Sequence, residues 1–198
     1  MVRTLAAMKS RADTSPKERL IETALDLFRR EGFHATGIDR LLAEAGVAKM
    51  TLYKHFKSKD ALIEAVLRHH DEQWRHWFQT AVEAKTKSSK KRLVAVFDVL
   101  GEWFDSDNFV GCLFVAAAAE YADRKHPIHA IAAEHKALVR AYLAHLARAA
   151  GSADSEALGG QLAMLMEGAI SAAHVRGDRR AARCARKTAK ILAKQGGD

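Results

Sequence analysis

From Leu20 to Leu192 the apolar side chains of this chain return every three or four residues, and no stretch shows the strict alternation of a half-buried strand. That spacing lines one face of a helix, whereas a strand needs a period of two, so the pattern predicts an all-α fold. Glycine, proline and serine signals cut the pattern into nine helical segments.

Order is expected to begin at Ser15-Pro16-Lys17-Glu18, which combines an N-cap, a proline at the first helical position and a glutamate able to reach back. Leu20, Ala24, Leu27 and Phe28 then line helix 1, and Gly32 ends it before Phe33 packs back. Thr36 is read as the N-cap of helix 2, with Asp39 favouring its positive end and Ile38, Leu41 and Leu42 forming its stripe. Gly46 stops that helix, and a third restarts at Ala48 and buries Leu52 and Phe56. Ser58 caps a long helix 4 that runs past Leu62, Val66, Trp74 and Phe78 as a strut. The polar stretch Ala84 to Arg92 is expected to be a loop, and Leu93 to Phe104 helix 5. Helix 6, Val110 to Ala122, is almost wholly apolar and predicted to be buried on several sides. Pro127 opens helix 7, Asp154 to Val175 form helix 8, and Ala181, Cys184, Ala185, Thr188, Ile191 and Leu192 share one face of helix 9. Seven Lys or Arg cover its other faces, which are read as solvated.

The pair of short helices around Gly46 carries the chemistry. Packing of Leu52 and Phe56 turns Lys49, Met50, Thr51, Tyr53, Lys54 and His55 outward. Cationic, hydroxyl and amphipathic groups on two helical turns suit phosphates and base edges better than an apolar partner. Lys49, Lys54, Lys59 and the amide at Thr36 are the expected phosphate ligands, with Tyr53 and His55 as hydrogen-bonding groups. Tyr53 has a plainer alternative as a half-buried aromatic on a small core, and Lys54 as a solvated lysine.

These residues closely resemble the DNA-binding domain of the TetR/AcrR-type family of bacterial transcriptional regulators. The likeness runs from about Pro16 to Leu67, and its most specific part is AGVAKMTLYKHFKSKDAL, with the Tyr, the Phe and the Ser-Lys-Asp run at the family's spacing. Gly37 and Met50 depart from it, standing where a small hydroxyl residue and a small residue are common. The resemblance implies a nine-helix, two-domain architecture, with a helix-turn-helix DNA-binding domain over 15–60 and a helical ligand-binding and dimerisation domain over 61–198; residues 1–14, without sustained periodicity and carrying Arg3, Lys9 and Arg11, are read as a flexible basic arm. It implies that Tyr53, His55 and Lys59 grip the backbone while Lys49, Met50 and Thr51 face bases.

One such domain covers few bases, so a homodimer on a pseudo-palindromic operator is expected. Its interface is assigned to helices 8 and 9, through Leu158, Leu162, Leu165, Met166, Ala169, Ala185, Thr188 and Leu192, in a four-helix bundle. The alternative is that these stripes face only the protein's own core. The resemblance places a small-molecule effector among the middle helices, where Trp74, Phe78, Phe97, Trp103, Phe104, Phe114, Tyr121 and Tyr142 are the candidate lining and an apolar or aromatic ligand is expected. The implied activity is repression relieved by that ligand. One rival is a DNA-binding protein of the same fold that works without an inducer, through partners or assembly on DNA.

A second rival, an all-α enzyme, finds no nucleophile-base-orienter set, phosphate loop or metal signature to support it. No cofactor is expected. The histidines at 69, 70, 76, 126 and 129 lack a cysteine or carboxylate set at ligand spacing. Cys112 and Cys184 lie too far apart in sequence to suggest a disulfide framework, and Cys112 is read as an inert thiol rather than a redox sensor. A net charge of +8 favours polyanions, and residues 1–59, with 12 Lys or Arg against 7 Asp or Glu, hold it more densely than the rest. The longest apolar run, Phe109 to Ala119, falls short of the roughly 20 residues of a membrane span, so no membrane association and a cytoplasmic location are expected.

Overall fold

A computed structural model describes residues 14–195, apart from the side chain of Gln195; the expected basic arm, with Arg3, Lys9 and Arg11, lies outside the described residues save for Thr14. The described residues form nine helices and no strand: α1 (Pro16–Glu31), α2 (Ile38–Ala45), α3 (Lys49–His55), α4 (Lys59–Lys85), α5 (Ser89–Phe104), α6 (Leu113–Glu120), α7 (Pro127–Ala149), α8 (Ser155–Arg176) and α9 (Ala181–Gln195). They divide into two compact units. One runs to Glu72 and takes in Leu113–Ala133; the other combines Gln73–Cys112 with Glu134 onward.

In the first unit, α1 starts as its sequence signals. Ser15 Oγ accepts from the Glu18 amide at 3.2 Å, and Glu18 Oε2 accepts from the Ser15 amide at 2.8 Å, a reciprocal box that satisfies two otherwise orphan donors. Its stripe of Leu20, Ala24, Leu27 and Phe28 is buried, and Phe33 turns back onto Phe28 with ring centres 5.0 Å apart. Gly46 closes α2 in the left-handed region at φ 62°, which a side chain would resist. After that turn α3 buries Leu52 completely, and Phe56 is buried just beyond its end. Arg30 to Glu44 and Arg40 to Glu31, both at 2.8 Å, tie α1 to α2.

Thr36 corrects one expectation. Gly37 occupies the N-cap of α2 without any side-chain bond, while Thr36 is fully buried and its hydroxyl donates to the Gly32 carbonyl at 2.7 Å. Thr36 therefore serves the α1–α2 corner, and its hydroxyl is not available to a phosphate.

The second unit is built on α5, α8 and α9, which pack on one another with the end of α4 and most of α7. Trp74, Phe78, Phe97, Phe104, Leu143, Leu162 and Met166 are buried in its core. The expected loop Ala84 to Arg92 is shorter than its polarity indicated. α4 runs through Lys85, Ser88 caps α5 by accepting the Lys91 amide, and the lysines that follow form its exposed first turn. Helix 6 is also shorter, beginning at Leu113 rather than Val110, and it is buried on one side only, with Val115 and Val110 exposed. Cys112 precedes that helix and is half-buried, whereas Cys184 is exposed. On α9 the buried face is Ala181, Ala182, Ala185 and Ala189; Cys184, Thr188 and Ile191 point outward. Among the described residues no helix is long and apolar enough to cross a membrane.

Candidate nucleic-acid interface

Burial of Leu52 settles which way α3 faces, because residues one or two positions from it point to other sides of the helix and so turn toward solvent. Lys49, Met50, Tyr53, Lys54 and His55 are all exposed, and Thr51 is half-buried. Met50 is 84% exposed and Tyr53 49%, so the two largest apolar bodies of this short helix lie outside the core. The alternative of Tyr53 as a cap on the small core is weakened accordingly. Lys49 Nζ stands 3.9 Å from Asp39 Oδ1, a loose and solvated pair that leaves the ammonium mobile.

Lys59, at the start of α4, is placed differently: it is half-buried and donates from Nζ to the His34 carbonyl at 3.3 Å. The sequence missed the group that meets the same corner from the far side. Glu120, the last residue of α6, accepts from the Phe33 amide at 2.9 Å and from the His34 amide at 2.6 Å. No local pattern signals a contact between residues 86 and 87 positions apart. Beside it Tyr121 donates to Asp60 Oδ1 at 3.3 Å, and burial, then Asp60, pushes the phenol up to about 12.

The expected effector residues are split between the two units. In the second, Trp74 stacks on Phe78 at 4.8 Å and meets Trp103 edge-on at 5.7 Å, and Tyr142 stands edge-on to Phe78 at 6.2 Å. Phe97 and Phe104 are buried in the same core. Phe114 and Tyr121 belong to the first unit, where Phe114 stacks on His70 at 5.6 Å and Tyr121 lies 4.7 Å from the His34 ring. Trp74 Nε1 and the Tyr142 hydroxyl are buried without a hydrogen-bond partner, and burial first, then Glu83, raises the Tyr142 phenol to about 12 against the opposing pull of Arg92. A surface groove of about 550 Å³ between α7 and α8 has an aliphatic and charged lining that includes Lys136, Arg140, Met164 and Glu167, and none of the expected aromatic residues.

The expected dimer stripe needs correction. Leu158, Leu162, Met166, Ala169 and Ala185 are buried within the second unit's own core, and Leu165 and Leu192 pack partly against it; only Thr188 is exposed. The outward face of α8 carries Met164 at 76% and Val175 at 75%, with Gly168 between them and open space where its Cβ would stand. Ile191 of α9 is exposed as well.

Two family profiles cover this architecture: "Bacterial regulatory proteins, tetR family" matches residues 20–66, and "Tetracyclin repressor-like, C-terminal domain" matches residues 89–189. A TetR-family transcriptional regulator of Streptomyces coelicolor superposes with a TM-score of 0.85 and 32% identity, over 92% of this chain and 96% of that one. The transcriptional regulator YjdC of Escherichia coli is 24% identical across 78% of this chain and 81% of its own. The transcriptional activator FasR of Mycolicibacterium smegmatis is 32% identical over 46% of this chain and 41% of its own. A matched DNA-binding domain, a matched C-terminal domain and a shared fold along nearly the whole chain leave one assignment: it belongs to the TetR family and is a DNA-binding transcriptional regulator, not an enzyme.

Proposed function

We propose that the protein is a homodimeric repressor that sets α3 in the major groove at each half of a pseudo-palindromic operator and leaves it when a small apolar or aromatic ligand binds the second unit. The observation that carries the reading is the division of α3 into an anchored Leu52 and a fully offered set of Lys49, Met50, Tyr53, Lys54 and His55. Lysines on that face neutralise phosphates, Tyr53 and His55 bond the backbone, and Met50 with Thr51 reaches base edges, where an apolar side chain meets the thymine methyl. Lys59 adds a backbone contact from α4, while Thr36, fully buried at the α1–α2 corner, makes none.

Dimerisation is supported by the outward stripe of Met164, Gly168 and Val175 with Thr188 and Ile191, since exposed apolar groups flanking a glycine admit close helix approach. The effector reading is supported by Trp74 Nε1 and the Tyr142 hydroxyl. A buried donor with no acceptor costs about 1 to 3 kcal/mol, which a ligand bearing an acceptor oxygen would recover. Repression is the output typical of the family.

Duplexes selected from a random library by the protein supply the test. Replacing Lys49, Tyr53 and Lys54 together with alanine should abolish binding at about 0.15 M salt while helicity and subunit association are unchanged. Unaltered binding would refute the interface, and a calorimetric screen yielding only strongly charged effectors would refute the ligand class.

A further inference from the structure

The corner between α1 and α2 is held from both sides by charged groups. Glu120 places one carboxylate oxygen on the Phe33 amide and the other on the His34 amide. The His34 ring donates from Nε2 to the Glu120 carbonyl at 3.0 Å, and the His34 carbonyl accepts from Lys59. Gly32 completes the fit: its φ is +86°, and a Cβ there would lie 2.9 Å from Glu120 Oε1. The next residue, Tyr121, reaches Asp60 in the first turn of α4, where His126 Nε2 also stands 3.7 Å from Asp60 Oδ2.

Neighbouring residues at the end of α6 thus grip the two segments that flank α2 and α3, the corner before them and the helix start after them. Both grips lie within one unit. We propose that Glu120 and Tyr121 are positioning residues for operator binding: without touching DNA, they fix the ends of the helix-turn-helix and so hold α3 in the pose that a major groove accepts. When only a fraction of molecules hold the competent pose, apparent affinity falls by that fraction, while the bound complex keeps all its phosphate contacts.

The sign of the effect separates this role from simple electrostatics. Removing a carboxylate makes the protein more positive and by itself favours a polyanion, whereas loss of the clamp weakens binding. The experiment uses the full chain, a duplex selected by the wild-type protein, and the variants Glu120→Ala, Glu120→Gln, Tyr121→Phe and Gly32→Ala.

Glu120→Ala should bind about tenfold more weakly through a slower association rate, with an unchanged salt slope and full helicity. Glu120→Gln, which keeps one acceptor oxygen but turns an amide N–H toward the other donor, should fall between it and wild type. Tyr121→Phe should weaken binding in the same kinetic manner. Gly32→Ala, which presses on the same carboxylate, should cost less in the Glu120→Ala background than in the wild type, and the strain of its backbone cancels in that cycle. Wild-type or tighter binding by Glu120→Ala, or a loss confined to the active fraction as expected of a merely destabilised fold, would overturn the proposal.

Discussion

A phenol keeps its proton where its surroundings cannot solvate the charge, and Tyr121 and Tyr142 both stand in such places, raised to about 12 from an ordinary value of 10. Ultraviolet titration should show two phenols ionising near that value, and Tyr121→Phe and Tyr142→Phe should each remove one. In the unfolded chain the same groups ionise near 10, so they support the fold fully below that pH and lose their contribution as pH rises toward 12. Lys54 offers a sharper functional test: Lys54→Ala should lower the slope of log affinity against log salt by about one unit, and an unchanged slope would make it a bystander. Such exposed residues were legible in sequence because the period around Leu52 and Phe56 fixes their direction. Thr36 was not, since a threonine before a helix reads as a cap whether its hydroxyl turns toward the helix or, as here, back to the Gly32 carbonyl.

Helix ends were legible where a local device sets them. The box at Ser15, the left-handed Gly46 and Pro127 act within a few residues, and each stands where its signal predicts. The stretch from Ala84 to Arg92 misled because polarity marks exposure and not loop: Lys85 closes α4, and Lys90 and Lys91 fill the wet face of the first turn of α5. Between α7 and α8 packing decides more than propensity. A Cβ on Gly159 would stand 2.6 Å from the backbone of Ala144, whereas one on Gly160 would meet only Arg140 at 3.7 Å. Gly159→Ala should therefore destabilise by about 1 to 3 kcal/mol through overpacking, and Gly160→Ala should stabilise by about 0.5 to 1 kcal/mol through helix propensity. Thermal unfolding of the two variants checks the contrast, and equal shifts would show that the crossing is looser than its geometry indicates.

At the scale of the whole molecule, the proposed function requires two copies, and the outward face of α8 is where that requirement is tested. Met164→Glu with Val175→Glu should give a folded monomer by sedimentation that has lost tight operator binding, whereas the corresponding changes at Leu158 and Leu162 should unfold the second unit. Periodicity, caps and a contiguous motif act over one or two turns, so the all-helical class, the helix ends at Ser15, Gly46 and Pro127 and the outward face of α3 could be read from the residues alone. Packing settled that the stripe of Leu158, Leu162 and Met166 on α8 meets the unit's own core, because an apolar stripe reads the same whichever surface covers it. It also decided that Glu120 meets the corner after α1, because a contact across some 86 residues depends on how elements are brought together and leaves no local trace in the chain.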